Sequence, residues 1–460
     1  MNDDTIDLFL APADETAPVL PDGLDPAAAR LADKPERDEH KLFVGAGDPD
    51  DLPSQRWAVI AADTPRGRTL VEQLQPLIEA RQDQQGAPVQ VFHAPAEALT
   101  RPAKARKWLN GVVKLLKDKD DPRYLTLLGG PDELPLTLER GIPGDRFPGR
   151  LAFAEPEHYR AYAERIAEIE VPKREGPAIH LHAVQDGSRA AGKAAAHLVT
   201  PLRDALKERA ATTGLPKALH ERGLLAAARA ARGGVLLTTS HGAGAPRGGW
   251  ADRASQLELQ GALKLEMGSR IEAPAVAEGS WVEAGAWVAF ACFSAGTPSR
   301  SALWHWIRRM NQEDNWQKPA ESVLRSLPVE DSPGFIAALP QAALLNPLGP
   351  QVFIGHIDLA FELSFRDWAE EEQQPAHKPF YQLVDALAEG HRAGNAMATT
   401  LRKTVAELNA ALVDDYNEEE DARQYGEPFE VRRRWRGFTW VRRQDLGGFI
   451  LLGDPAARVG

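Results

Sequence analysis

Two stretches of sequence decide the fold: GVLLTTSHG at residues 234–242 and AWVAFAC at residues 286–292. In each of them a run of apolar and small residues, typical of a buried strand, leads directly into a polar residue, His241 in the first and Cys292 in the second. Strands without polar alternation are typical of parallel sheets, and functional groups collect where such strands end. We therefore expect His241 and Cys292 to lie close together at the carboxyl edge of a parallel sheet.

Similar apolar runs recur along the chain and alternate with amphipathic stretches. Further strands are predicted at residues 57–62, 89–93, 124–128, 149–153, 178–184, 351–357, 437–441 and 449–452. Helices are predicted at about residues 69–81, 103–117, 155–169, 189–209, 221–232, 380–392 and 395–416. This alternation predicts an α/β fold with mostly parallel sheets. A charged, Pro-flanked link at residues 171–177 separates an N-terminal α/β subdomain, residues 56–175, from a catalytic subdomain, residues 176–460.

The composition excludes several classes of protein. With 43% hydrophobic and 26% charged residues among 460, it is typical of a globular chain. No apolar stretch is long enough to cross a membrane and the first residues are acidic, so we expect a cytoplasmic protein without a membrane partner. The net charge of −12 argues against a nucleic-acid partner. Most of this charge lies in residues 1–55, an acidic, Pro-rich and flexible leader that is either a solubilising tail or a propeptide.

His241 and Cys292 together suit nucleophilic catalysis. Cys292 is the only cysteine, which excludes an internal disulfide and a cysteine-based zinc cluster. A thiol attacks as its thiolate, and a nearby imidazole promotes that form and later protonates the leaving amine. The backbone amides of Gly242 and Cys292 are predicted to stabilise the oxyanion of such a reaction. The simpler alternative is an inert core cysteine and a histidine in a turn.

Four motifs follow one another in a recognisable order. They are YLTLLGGPDELP at residues 124–135, Gly149-Arg150, the pairs His241-Gly242 and Ala291-Cys292, and FILLGDPAARV at residues 449–459. The pairs are separated by about 50 residues, as in caspases. Together these motifs resemble the gingipain-type branch of the caspase-like cysteine peptidases.

The resemblance implies a caspase-like three-layer α/β sandwich and a cysteine endopeptidase that cleaves protein or peptide substrates. Cys292 would be the nucleophile, His241 the general acid/base, and Gly242 part of the oxyanion hole. In the family an acidic residue can orient the histidine, and Asp186 occupies a similar place; a turn-forming Asp-Gly pair explains it equally well. An intracellular peptidase must be restrained, so we expect a zymogen that an activating protease or a regulatory partner switches on, in a pathway such as bacterial defence.

The residue before the cleaved bond, P1, is expected to be Arg or Lys if Asp252 lines the pocket. Arg189 would instead favour an acidic P1 residue. Thr239, at the end of the strand before His241, and Trp304, after the nucleophile, are further candidates for substrate binding, although core packing also explains a tryptophan. With Arg or Lys at P1, Lys34, Arg37 and Lys41 in the leader would be processing sites.

Other features give weaker predictions. His180 and His182 share one face of a strand but lack a third ligand, so we expect no metal and no cofactor. The basic and aromatic residues 432–443 suggest single-stranded nucleic acid, or more simply a solvated basic face paired with the acidic residues 414–421. A thioester acyltransferase or ligase and a non-catalytic scaffold stay open as alternative functions.

Overall fold

A ten-stranded sheet runs through the computed structural model, which describes residues 47–113, 121–136, 138–139, 142, 144–169, 176, 178–185, 188–213, 221–246, 250–265, 269–312, 324, 333–365 and 376–459. The strands in chain order are β1 (Trp57–Ala62), β2 (Gln90–Ala94), β3 (Tyr124–Leu128), β4 (Phe147–Leu151), β5 (Ile179–Ala183), β6 (Ala210–Thr213), β7 (Val235–Thr239), β8 (His241–Gly242), β9 (Leu263–Lys264), β10 (Arg270–Ile271), β11 (Ala286–Phe290), β12 (Gly296–Thr297), β13 (Phe335–Ile336), β14 (Val352–His356) and β15 (Phe449–Gly453).

The large sheet has the strand order β2-β1-β3-β4-β15-β14-β11-β7-β5-β6. Its neighbouring strands pair in parallel, except that β14 and β15 are antiparallel. The first four strands of this order come from the N-terminal part of the chain. The final strand, β15, lies between them and the later strands, and so it joins the two strand-helix series into one sheet.

Helices and short helical turns connect the strands. They are α1 (Leu52–Gln55), α2 (Pro65–Gln73), α3 (Gln75–Gln85), α4 (Pro102–Val113), α5 (Pro156–Glu168), α6 (Arg189–Ala194), α7 (Thr200–Leu206), α8 (Glu221–Ala230), α9 (Arg253–Leu259), α10 (Ala273–Val276), α11 (Trp304–Met310), α12 (Ala338–Leu345), α13 (Lys378–Ala388), α14 (Ala393–Met397), α15 (Lys403–Tyr425) and α16 (Arg433–Leu446). π-helical turns, Ala195–Val199 and Ala398–Arg402, continue α6 into α7 and α14 into α15.

Both faces of the sheet are buried. Leu236 and Trp287 belong to the hydrophobic cluster on one face, whereas the next residues in the same strands, Leu237 and Val288, belong to the cluster on the other face. Such alternation places a layer of packing on each side of the sheet. The predicted α/β fold, a three-layer sandwich with a mostly parallel sheet, is confirmed.

Two sequence-based predictions of local structure need correction, and one strand of the large sheet was missed. Residues 437–441 are part of helix α16 and not a strand, because this segment packs its buried residues at helical spacing, Thr439 and Arg442 among them. Residues 69–81 form parts of two helices, since Pro76 lies in the first turn of α3, where its missing N–H leaves no bond unmade. Strand β6 was not predicted.

The closing motif of the chain connects the last strand to the first. Asp454 is fully buried, and its carboxylate accepts hydrogen bonds from Trp57 Nε1 at 2.9 Å and from Arg81 Nε at 2.8 Å. Gly149 lies beside it, because an added Cβ would stand 2.7 Å from the carbonyl oxygen of Gly453. Arg150, also fully buried, forms an ion pair with Glu139 at 2.8 Å. The motifs at residues 149–150 and 453–454 therefore contact the sheet core and connect β1, α3, β4 and β15.

We expect Asp454→Asn to lower the free energy of unfolding by about 2–3 kcal/mol, because the buried guanidinium of Arg81 would lose its counter-charge. Urea unfolding measures the change. The matched control is Asp63→Asn, which breaks the exposed ion pair with Arg68 and should cost less than about 1 kcal/mol. Equal effects of the two substitutions would contradict a stabilising role for the buried pair.

The end of the predicted leader packs against the body of the protein. Asp50 accepts a hydrogen bond from the Arg392 amide at 2.7 Å and contacts His391, and the Pro49 carbonyl accepts one from Tyr124 Oη at 2.9 Å. Residues 1–46 lie outside the described residues, as does most of the link at 171–177, so the leader and the two subdomains stay predictions. Among the helices that the structure describes, none is both long and apolar enough to cross a membrane.

Candidate active site

The two residues singled out by the sequence leave neighbouring strands side by side. Strands β7 and β11 pair in parallel, with Thr239 opposite Phe290, and the Ser240 amide donates to the Phe290 carbonyl at 3.1 Å. His241 and Cys292 each follow these paired residues by two positions. Both residues therefore stand at the carboxyl edge of the central sheet, where ligands of parallel sheets bind.

Glycines let the histidine loop pack directly on the backbone of the cysteine turn. A Cβ added to Gly242 would lie 1.8 Å from the carbonyl oxygen of Cys292, and one added to Gly261 would lie 2.2 Å from that of Phe293. Strand β8, which contains His241, pairs with β9 and is held in this position. Only glycine permits so close an approach at residue 242.

The turn after the cysteine has unusual backbone geometry. Phe293 has a φ of +58°, a left-handed conformation that is rare for a bulky residue. Its amide donates to the Asp358 carbonyl at 2.9 Å, and its side chain is buried. Outliers of this kind persist where the surroundings hold them, and they are common at functional sites.

The Cys292 thiol is half-buried and contacts the backbone of one residue. The Ala360 amide donates to Cys292 Sγ at 3.2 Å, and the thiol donates to the Ala360 carbonyl oxygen at 3.6 Å. Burial raises the pKa of this thiol to about 11, and the carboxyl groups of Asp445 and Asp358 add to the increase. In this arrangement the thiol is protonated at neutral pH.

His241 is exposed, and its ring contacts a residue that the sequence analysis did not select. Ser188 Oγ lies 3.0 Å from His241 Nε2, and the same oxygen accepts from the Ala191 amide at the start of α6. Asp186, predicted to orient the histidine, lies outside the described residues. A serine in the turn after β5, at a helix N-cap position, is the signal that could have identified Ser188.

The candidate substrate-binding residues have differing environments. Thr239 is 3% exposed, and Asp252 caps helix α9 by accepting from the Ser255 amide at 2.7 Å. That hydrogen bond keeps the pKa of Asp252 below its usual value, so the exposed carboxylate is charged. Trp304 packs in the same apolar cluster as Cys292. Arg189 begins α6, and nothing is described of its side chain.

A buried polar cluster behind Cys292 escaped the sequence analysis. His356, Asp358 and Asp445 are almost completely buried. His356 Nε2 lies 2.7 Å from the Asp445 carbonyl oxygen and 3.6 Å from a carboxylate oxygen of the same residue. Burial raises the pKa of the Asp445 carboxyl to about 8. The His-x-Asp sequence at the end of β14 is a signal for the first two residues, whereas Asp445 lies on helix α16, in which residues 437–441 were wrongly predicted to form a strand.

Two further predictions from the sequence concern a histidine pair and a basic cluster. The described residues contain no group of three or more His, Cys, Asp or Glu that could hold a metal ion, and His180 and His182 are buried in β5. The basic cluster near the C-terminus pairs with the acidic run, as the simpler interpretation predicts: Arg432 and Arg436 both contact Asp415. These ion pairs connect helices α15 and α16.

No protein-family model and no curated protein matches the sequence. Among solved structures, the chain is similar to one of a protease, with 13% identity and a TM-score of 0.48 over 91% of this chain and 81% of that one. It is also similar to gingipain R, an Arg-specific cysteine proteinase, with 13% identity and a TM-score of 0.45 over 88% and 78%. For separase in the Saccharomyces cerevisiae separase–securin complex, the identity is 9% and the TM-score 0.34 over 72% and 15%. All three TM-scores are below 0.5.

Proposed function

We propose that this protein is a caspase-like cysteine endopeptidase with Cys292 as nucleophile and His241 as general acid/base. The observation that carries the proposal is the packing of Gly242, the residue after His241, on the Cys292 peptide. The strands that precede His241 and Cys292 are adjacent and parallel. The left-handed Phe293 and the exposed His241 ring support it. An inert core cysteine requires neither the glycine contact nor the strained turn.

The chemistry follows from the two side chains. The imidazole takes the thiol proton, and the thiolate forms a C–S bond with the substrate carbonyl carbon while the carbonyl π electrons move to oxygen. The amides of Gly242 and Cys292 would stabilise that oxyanion. The intermediate collapses, the C–N bond breaks, and the amine leaves with the proton from His241. Water, deprotonated by His241, then hydrolyses the thioester.

For the P1 residue we propose Arg or Lys, with Asp252 as the pocket carboxylate. Its charge and exposure support this role. One observation favours the acidic alternative: the guanidinium groups of Arg300 and Arg308 lie 4.5 Å and 4.8 Å from the ring centre of Trp304, which shares a cluster with Cys292. The identity of the reactive peptide distinguishes these two pockets.

We expect an Arg or Lys peptidyl chloromethyl ketone to form a one-to-one adduct with the wild-type chain, at a rate that saturates with ketone concentration. Saturation indicates binding before bond formation, which a merely accessible thiol does not show. Intact-protein mass spectrometry detects the adduct, and Cys292→Ala should form none. Preferential reaction of an Asp ketone would indicate that Arg300 and Arg308, and not Asp252, bind the P1 side chain.

The same experiment separates the alternative functions. The peptidase proposal fails, and the chain is a scaffold, if the reaction rate saturates with none of the peptidyl ketones. This conclusion requires that iodoacetamide alkylates the thiol in the same protein, so that the thiol is known to be accessible. An acyltransferase or ligase would form the adduct but would yield products joined to an added amine, which differ from hydrolysis products in mass. Processing of the leader, with or without an added protease, would be detected as a loss of mass.

A further inference from the structure

Residues 360–364, here called the strap, lie against the proposed nucleophile. The backbone N–H and C=O of Ala360 both contact Cys292 Sγ, at 3.2 Å and 3.6 Å. These are the two hydrogen bonds that the thiol makes within the described part of the chain. Phe361 and Cys292 also belong to one apolar cluster. The strap therefore covers part of the thiol.

A fully buried carboxyl group also holds the strap. The two oxygens of Asp445, near the end of α16, accept from the Phe361 amide at 2.9 Å and from the Ser364 amide at 3.0 Å. His356 and Asp358 from the end of β14 complete the polar surroundings of Asp445. Because Asp445 is fully buried and accepts from two strap amides, losing either bond would leave a buried N–H unsatisfied, and Asp445 therefore determines where the strap lies.

The strap also connects to the element beside His241. Glu362 forms an ion pair with Lys193 of α6 at 2.5 Å. The N-cap of that helix is Ser188, whose hydroxyl lies 3.0 Å from His241 Nε2. One short segment thus contacts the nucleophile directly and, through α6, the residue that binds the histidine.

We propose that the strap holds Cys292 in a resting state and that Asp445 is the positioning residue that keeps the strap closed. Releasing the segment from Asp445 exposes Sγ to water, which reduces the burial that raises the pKa of Cys292 and outweighs the loss of the Ala360 amide, whose hydrogen bond lowers that pKa. The thiol then ionises more readily and can meet a substrate. The strap is expected to limit the reactivity of the Cys292 thiol whatever the protein does. That it restrains a peptidase rests on the proposed function. The raised pKa of Cys292 agrees with a closed strap.

The experiment uses the fact that the chain has a single cysteine, so iodoacetamide alkylation reports on Cys292 alone. Asp445→Asn leaves one acceptor oxygen for two backbone donors and should speed alkylation at pH 8 by about tenfold. The midpoint of its pH profile should move from near 11 in the wild type toward the ordinary thiol value of about 8.5. Glu362→Gln, a milder change at a half-buried pair, should accelerate alkylation about threefold.

Asp454→Asn is the matched control, because it destabilises the protein at a buried carboxylate far along the sheet and leaves the strap contacts intact. Its alkylation rate should equal that of the wild type. If it reacts as fast as Asp445→Asn, global unfolding exposes the thiol and the strap has no role. Unchanged rates in both Asp445→Asn and Glu362→Gln would overturn the proposal. Repeating the peptidyl-ketone experiment with Asp445→Asn, whose thiol is expected to be accessible, distinguishes the two proposals: rapid alkylation without a saturating ketone reaction would contradict the peptidase proposal alone.

Discussion

His241→Ala should lower the rate of peptide cleavage by about a thousandfold or more, while the protein stays folded. His241 follows strand β7, and the next residue, Gly242, packs on the Cys292 backbone, so its imidazole is the proposed base. Without it no base accepts the thiol proton, and the leaving amine receives none. Because His241 is exposed, its removal leaves no cavity, and the free energy of unfolding should change by less than about 1 kcal/mol.

Steady-state cleavage of a peptide with the preferred P1 residue measures this effect. The matched control is His158→Ala, an exposed histidine on α5, which should retain wild-type activity. Ser188→Ala should have an intermediate effect of about tenfold, since it keeps the imidazole but loses the contact with the ring, together with the N-cap of α6. Cleavage within tenfold of the wild type in His241→Ala would exclude this histidine as the acid/base.

The sequence predicted the location of the pair because the strands that carry it have a strong local signal. Residues 235–239 and 286–290 are uninterrupted buried strands that end just before the two chemical groups. The register between them is set by the sheet, so two short motifs about 50 residues apart can be placed together without any knowledge of the rest of the chain.

The surroundings of the thiol could not be predicted in the same way. Ala360 contacts Sγ through its backbone, which carries no side-chain signal in the sequence. Asp445 lies on α16, whose aromatic and β-branched residues suggested a strand, and it reaches the strap only because that helix packs there. Both the contact of Ala360 with Sγ and that of Asp445 with the strap depend on tertiary packing, which local periodicity in the sequence does not predict.

The glycine that follows the histidine has a steric role that was not predicted from the sequence. The sequence analysis connected it with an oxyanion donor, and that role stays a prediction. The structure adds a steric requirement, because the backbones of residues 242 and 292 touch. This requirement explains why one residue type is needed there whatever the substrate is.

Gly242→Ala should therefore reduce cleavage and reaction with the peptidyl ketone by at least about a hundredfold. The new Cβ would stand 1.8 Å from the Cys292 carbonyl oxygen, which belongs to the backbone and cannot rotate away. Either β8 or the cysteine turn must move, and a displacement of about 1 Å between catalytic groups is enough for such a loss. Overpacking should also lower the free energy of unfolding by about 1–3 kcal/mol.

Gly437→Ala is the control for this substitution, because an added Cβ there meets nothing within 4 Å and the residue lies inside α16. It should retain activity and gain about 0.5–1 kcal/mol of stability, since alanine is the better helix former. Full activity of Gly242→Ala would mean that catalysis does not need the contact between Gly242 and the Cys292 peptide. That contact would then no longer support the proposed function. A low rate with both peptidyl ketone and iodoacetamide would instead indicate that the displaced cysteine turn buries the thiol, whereas normal alkylation with a slow ketone reaction would locate the damage in the alignment of His241 with Cys292.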